Sequence, residues 1–324
     1  MPGVRLVFVA VVLAVSACSP GSPPAGGDPG STLAAALDVV PELADAQAMF
    51  TDWAAVGDQK SGVFAGQLLD VDDALQRDLG IRSADADWEL DVWQPGKPSM
   101  TILHYGDGAL AGLPDRLTQA GYRADGPVYT GTIDPTRMWT ISARAMGVDT
   151  KRGLLVAAPD PAAVRAVLAG APRPLSRAEA LAPLLTAVAS RHVRTAAVSV
   201  GSAACQALDR LISKGRATPA QLQAVRTLFS GPFTAPQAQL TAVTSPTVAY
   251  AGMTFADERT AAANRDGRAA AVRTVGGLAG DPDGMQVTGG SVTGRVLGFD
   301  LTAQDAQTFR KRVTTGTLGV DVCL

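Results

Sequence analysis

DADWELDVWQPGKPSMTILHYG, residues 85–106, is the stretch that decides the fold. Trp88, Leu90 and Val92 alternate with Asp87, Glu89 and Asp91, the period of two that sends successive side chains to opposite faces of a strand. Pro95-Gly96-Lys97 interrupts the run with turn residues, and Met100 to Tyr105 resumes it. The stretch is therefore a hairpin, and the sheet around it is antiparallel.

Working outward, Ala48–Ala55 (AMFTDWAA) reads as a short strand. Asp70–Leu79 reads as a helix with acids in its first turn, where the helix dipole favours them, and with Gly80 as its stop. On the other side, Leu113–Gly121 is a helix opened by Pro114, followed by strands at Arg137–Arg144 and Gly153–Ala158. A helix opened by Asp160-Pro161 runs through Val167, and residues 170–178 form a proline-interrupted joint. Beyond it come a helix at Ala178–Arg191, a strand at Val193–Val200, and helices around Cys205–Ser213 and Pro219–Phe229. Then Gln239–Phe255 is strand, turn and strand, Asp257–Val275 an alanine-rich helix, Met285–Leu301 a strand pair and Ala303–Val313 a last helix. The order hairpin, helix, strand pair, helix thus occurs twice. The pattern predicts an α+β protein, two-layer, with mainly antiparallel sheets and helices on one face, in two similar halves, residues 33–170 and 171–324.

The amino-terminal segment has a different character. Arg5 precedes an apolar run, Leu6–Val15, shorter than the ~20 residues that span a bilayer, so residues 1–17 read as an export signal peptide. Ser16 and Ala17 would serve an ordinary signal peptidase, which would release a soluble secreted protein. Val15-Ser16-Ala17-Cys18, however, resembles the bacterial lipobox. That resemblance implies a diacylglycerol on the Cys18 sulfur, cleavage just before it, and an anchor of at least two acyl chains at about 0.8 kcal/mol per buried methylene. Residues 18–32 then form the lipidated cysteine and a Ser/Pro/Gly tether whose composition cannot bury a core. The expected location is the outer face of the cytoplasmic membrane.

Of the three cysteines, Cys18 is taken by the anchor, which leaves Cys205 and Cys323 as an even pair in an oxidising compartment and predicts a disulfide between them. The formal net charge of −2 becomes about −3 without Arg5, and the arginines are scattered with no basic run and interleaved aromatics, so nucleic acid is not an expected partner. FTDW (50–53), DADWEL (85–90) and LTQAGY (117–122) are similar to landmarks of a loose group of actinobacterial exported lipoproteins of unassigned activity. The resemblance covers roughly the first hundred residues after the tether. It implies localisation and no evident enzyme.

Signatures of catalysis or metal binding are absent from the sequence: there is no HExxH, Cys-x-x-Cys, GxxxxGK[ST] or SxxK, and Gly289-Gly290-Ser291-Val292-Thr293-Gly294 misses the nucleophile elbow by one residue. These glycines read as a close approach of two strands. His104, beside Tyr105, reads as a half-buried structural histidine rather than a base, and His192 as a cation at a helix end. Asp70, Asp72 and Asp73 read as a helix start rather than a calcium loop, and Asp281-Pro282-Asp283-Gly284 as a turn. Asp87 and Glu89 read as a solvated polar strand face rather than a glycosidase pair, and Trp53, Trp88, Trp93 and Trp139 mostly as core. No catalytic, cofactor or metal residue is assigned. The reading favours a non-catalytic lipoprotein that binds or scaffolds an envelope component, with a carrier or sensor of an apolar ligand and a hydrolase with a dispersed site as alternatives.

Overall fold

The computed structural model describes residues 31–57, 64, 66–207, 218–220, 223, 233–278, 283–315, 318–320 and 322–323. Helix α1 (Ser31–Asp38) precedes β1 (Ala46–Asp52), whose last residue accepts the Ala55 N–H at 2.9 Å and so caps α2 (Trp53–Val56). Helix α3 (Asp72–Leu79) stops at Gly80 in the left-handed conformation, and the hairpin follows as β2 (Trp88–Trp93) and β3 (Met100–His104). Next come α4 (Leu113–Gln119), β4 (Arg123–Asp125), β5 (Val128–Thr130), α5 (Trp139–Ser142), β6 (Ala145–Asp149) and β7 (Leu154–Ala158). Asp160 caps α6 (Pro161–Leu168), accepting the Ala162 N–H at 2.8 Å. The remainder is α7 (Ala182–Val188), β8 (Thr195–Val200), β9 (Gln206–Ala207), β10 (Ala238–Ser245), β11 (Val248–Thr254), α8 (Glu258–Leu278), β12 (Met285–Thr293), β13 (Val296–Ala303), α9 (Ala306–Thr315) and β14 (Val322–Cys323).

Among the described residues one sheet of 12 strands carries the fold, in the order β12-β13-β11-β10-β8-β1-β2-β3-β7-β6-β5-β4, with every ladder within it antiparallel. The molecule is α+β, and its internal repetition is written in that order. From the centre outward, β1-β2-β3-β7-β6 and β8-β10-β11-β13-β12 are the same sequence of connections. The halves meet where β1 pairs with β8, Phe50 opposite Ala196, so they are parts of one hydrogen-bonded sheet rather than bearers of separate sheets.

The helices do not share one face, and the expected two-layer arrangement is corrected here to helices on both sides. Leu33 and Leu37 of α1, Val164 and Val167 of α6 and Leu184 of α7 pack on Phe50, Leu90, Ile102, Val156, Val198 and Leu240. On the opposite face α3, α4 and α5 cover Leu103, Leu155 and Ala157, while α8 and α9 cover Met253, Leu297, Phe299 and Leu301. The reason lies in strands such as β7, LLVAA, in which all positions are buried: apolar residues of both parities need a cover on both sides. Each such fully buried Leu or Phe contributes about 1.5–3 kcal/mol of transfer free energy.

Two local departures are informative. The expected strand at Arg137–Arg144 is instead the short helix α5, and the strand begins at Ala145. Its alternating residues are used helically: Trp139 and Thr140 are buried while Met138 and Ile141 face outward. The β4–β5 hairpin at 123–130 has no counterpart in the expected elements because its strands are only three residues each. In β6, a side chain at Gly147 would collide with Val164 and Leu168, so glycine there is what lets α6 seat on the sheet. The helices expected around Cys205–Ser213 and Pro219–Phe229 lie largely outside the described residues.

Candidate functional site

An apolar groove of about 290 Å³ opens at the end of the sheet where β2 stops and β3 begins. The segment following α1 supplies Val40 and Leu43, the hairpin supplies Val92 and Met100, and α6 supplies Ala163 and Val167. These elements converge because the Asp160 cap starts α6 directly after β7, and because α1 packs on β1 and β2. The alanines matter by their size: on a helix so close to the sheet, they leave room that larger side chains would fill. Trp93 lines the groove with its indole fixed, Nε1 donating to Gln47 Oε1 at 2.6 Å. Lys97, exposed on the hairpin turn, and Asp160 border it. Lys97 makes no ion pair among the described residues, whereas Asp160 is engaged in its cap. The arrangement offers apolar walls with one uncommitted cation at the rim, suited to an amphiphile with an anionic head. The volume is at the small end of ligand sites, about 300–1,000 Å³. Sequence reasoning did not single out this groove, since its walls come from positions 40 to 167; the one local hint is the Ala-rich face of PAAVRAVL.

A second feature overturns an expectation. The alternation predicts Glu89 on a solvated strand face, yet it is wholly buried, and Asp91 beside it is 2 % exposed. Trp88, Leu90 and Val92 do point to the first core, so the period-two reading is right; what differs is that the other face is covered too. Thr195, Thr51 and Glu89 form one row across β8, β1 and β2, all buried. Asp91 is well satisfied: it accepts Thr101 Oγ1 at 2.6 Å and the Gly66 and Gln67 N–H groups at 3.0 and 3.3 Å. Among the described residues neither carboxyl oxygen of Glu89 meets a hydrogen bond of full geometry, nor does buried Trp53 Nε1, although the Trp53 indole and the Gln67 N–H lie near enough to offset part of the burial. Burial first, and then the charges of Asp91 and Asp72, push the Glu89 carboxyl well above its ordinary value. Burial also raises Asp91, offset by its hydrogen bonds to Thr101, Gly66 and Gln67.

The remaining sequence candidates are dispersed. His104 stacks on Trp88 with ring centroids 5.4 Å apart, and its Nδ1 lies 2.9 Å from Asp87 Oδ2. Asp87 is exposed and lies before β2, so it shares no site with buried Glu89. This His–Asp pair has no Ser, Thr or Cys hydrogen-bonded to it among the described residues. His192 lies beyond the end of α7, near Asp52, whose carboxyl is raised by burial, with the Ala55 N–H and then His192 offsetting part of that rise. Asp72 accepts both the N–H and the hydroxyl of Ser83, at 2.8 and 2.6 Å, and ties α3 to the chain before β2, while Asp70 and Asp73 are exposed. Asp281 and Pro282 lie outside the described residues; Asp283 pairs with Arg273 at 3.3 Å. Gly290 of β12 lies against the Phe299 ring, and Gly294 turns the hairpin with a positive φ. Trp53, Trp88 and Trp139 are buried, and Trp93 is half-buried. No cluster of His, Cys, Asp or Glu among the described residues could hold a metal ion.

Cys205 and Cys323 are bonded, with Cα atoms 5.6 Å apart. Cys205 follows a single 3-10 turn rather than sitting in a helix, and parallel pairing of β9 with β14 flanks the bond. The same carboxyl-terminal segment is held by Arg268 of α8, wholly buried, which donates to the carbonyls of Val320 and, at 2.6 Å, Thr234. Gly319, with a φ of 94°, passes so close to Ala271 and Val272 that a side chain would strike the backbone of α8. Cys18 lies outside the described residues. Among the described residues, no helix is long and apolar enough to cross a membrane.

No family model and no curated protein matches the chain. Two solved structures align with the chain at low similarity. Crystal form I of TP0453 aligns over 91 % of this chain and 100 % of that one, with 8 % identity and a TM-score of 0.43. Crystal form IV of TP0453 aligns over 86 % of this chain and 96 % of that one, with 6 % identity and a TM-score of 0.40.

Proposed function

We propose that this chain is an extracytoplasmic lipoprotein, held to the membrane through acylated Cys18, that binds an apolar ligand rather than transforming one. The observation that carries the reading is the groove formed by Val40, Leu43, Val92, Met100, Ala163 and Val167, with Lys97, which makes no ion pair among the described residues, at its rim. A small apolar cleft with one placed charge orients an amphiphile: the walls take its hydrocarbon and the ammonium takes its acidic head. Burying a chain in such a cleft is worth about 25 cal/mol per Å² of apolar surface removed from water, before the cost of immobilising the ligand. The lipobox-like VSAC motif supports the anchor, and the even pair Cys205 and Cys323 supports export.

The test is extraction of the full-length chain from native membranes, followed by mass spectrometry of the small molecules that co-purify. The wild type is expected to carry an acidic amphiphile, and Ala163→Trp, which fills the groove from a helix residue at its wall, is expected to lose it. Equal ligand content in the two proteins would remove the groove from the function. Separately, Cys18→Ala is expected to shift the protein out of the membrane fraction, and an unchanged distribution would remove the anchor.

A further inference from the structure

Large apolar side chains exposed to solvent are concentrated at one place. Among the described residues, those left in this state are Ile133, Met138 and Ile141, at 54 %, 61 % and 46 % exposure, all within the connection from β5 to β6. Scattered exposed apolar residues need no explanation, but a cluster on one short segment does. The segment is firmly built. Its base is closed by the Gly131 N–H to the Arg144 carbonyl at 2.9 Å, and Arg137 N–H to the Asp134 carbonyl at 2.9 Å turns it. Thr140 Oγ1 accepts the Asp134 N–H at 2.9 Å. Trp139 is the anchor beneath: it is 1 % exposed, stacks on Tyr122 with centroids 5.9 Å apart, and donates Nε1 to Asp78 at 3.1 Å. The fold thus holds Met138 and Ile141 outward by burying Trp139 and Thr140 between them.

Two arginines stand behind the tip, beside the acids Asp78, Asp125 and Asp134, each of which pairs with another arginine. Arg123 on edge strand β4 pairs with Thr130, which pairs with Ala145, so Arg123 and Arg144 stand at the same end of these strands as the apolar tip. Both are exposed, and neither forms an ion pair among the described residues. Arg137, within the tip, is shared between Asp78 and Asp134 at 3.6 and 3.7 Å. Asp134 is the tip's own acid, and its hydrogen bonds to Thr136 lead in holding it below the usual carboxylate range.

We propose that the tip formed by Ile133, Met138 and Ile141, with Arg123 and Arg144 behind it, is a docking surface for an anionic lipid bilayer. Apolar side chains entering the headgroup region with arginines over anionic lipid is the pattern of an interfacial contact. The proposal rests on the anchored reading for the nearness of a bilayer. In return it supplies what the anchor lacks. The residues from Cys18 to Ser31 can span at most roughly 45 Å, and an anchor at one point does not by itself specify which end of the sheet faces the membrane. A second contact fixes which end of the sheet faces the membrane, and it leaves the groove on a body of defined orientation.

The experiment places an environment-sensitive fluorophore at Met138→Cys in the full-length lipidated chain, with Asp266→Cys on α8 as the exposed reference. Reconstitution is into phosphatidylglycerol–phosphatidylcholine vesicles and into phosphatidylcholine vesicles. A blue shift at position 138 in the anionic vesicles is expected, with none at 266. Arg123→Gln with Arg144→Gln should weaken the shifted population by about fivefold per arginine. Flotation of the same samples reads the anchor separately. A chain that floats with an unshifted probe keeps its anchor and overturns the docking surface; a chain that floats with neither lipid overturns both. A shift confined to native membranes, absent from lipid vesicles, assigns the tip to a protein and also overturns the proposal.

Discussion

Replacing Glu89 by Gln should raise the stability of this protein increasingly with pH. The carboxyl is wholly buried, neither oxygen meets a hydrogen bond of full geometry among the described residues, and burial holds its value well above the ordinary 4.5. Below 4.5 it is protonated in both the folded and the unfolded chain, so Glu89 adds no pH-dependent term there. As the pH rises past 4.5, the unfolded chain releases this proton and the folded chain keeps it; the native state then binds more protons, and stability falls with pH until the folded value is passed. The slope over that window is about 1.4 kcal/mol per pH unit for this one group. For domains of 150–250 residues, 1 kcal/mol corresponds to about 2–4 °C in Tm, so each unit should appear as roughly 3–6 °C or somewhat less in this longer chain. Asp91 and Asp52 are also raised and tilt the wild-type profile the same way, which is why the quantity to measure is the difference between variant and wild type. Thermal unfolding of both proteins between pH 4 and pH 8 is expected to give coincident Tm values at the acid end that diverge above it. A difference that stays flat across the range would mean that Glu89 is ionised and hydrated in the folded protein, and the covered polar face would be wrong.

Three other perturbations address the frame. Cys205→Ser with Cys323→Ser opens a loop with a sequence separation of 118 residues, a loss of about 4–5 kcal/mol in the chain-entropy account, read by denaturant unfolding; unchanged stability would refute a native bond. Gly147→Val drives a side chain into Val164 and Leu168 and should cost about 1–3 kcal/mol, with α6 becoming the first element to lose amide protection in hydrogen exchange. Arg268→Met leaves the buried carbonyl of Val320 without this donor, at about 1–3 kcal/mol, together with the part-buried carbonyl of Thr234, and should expose the carboxyl-terminal segment to proteolysis before the rest of the chain unfolds.

The elements that the sequence declared best are those with a local cause. The hairpin at 85–106 follows from alternation and a Pro-Gly turn, α6 from Asp160-Pro161, and the end of α3 from Gly80; all depend on neighbours within a few residues. The matching strand order of the two halves was partly legible for the same reason, but the first half inserts the β4–β5 hairpin and α5 between its helix α4 and its strand pair β6–β7. The misreadings have a common origin as well. MWTIS alternates as a strand would, but Trp139 finds Tyr122 and Asp78 from distant parts of the chain, and that packing selects a helical turn. Glu89 reads as solvent-facing because alternation reports parity and carries no information about whether the second face is covered.

By itself, then, the sequence determined the α+β class, the antiparallel pairing of the large sheet and the cysteine pair, because each is encoded in short-range spacing or in composition. Tertiary structure alone decided that the halves fuse into one sheet through β1 and β8, that helices cover both faces, that Glu89 is enclosed, and that Val40, Met100 and Val167 share a groove. Those outcomes depend on which apolar faces meet across long stretches of chain, and burial of one surface against another is non-directional, so no local pattern records the partner.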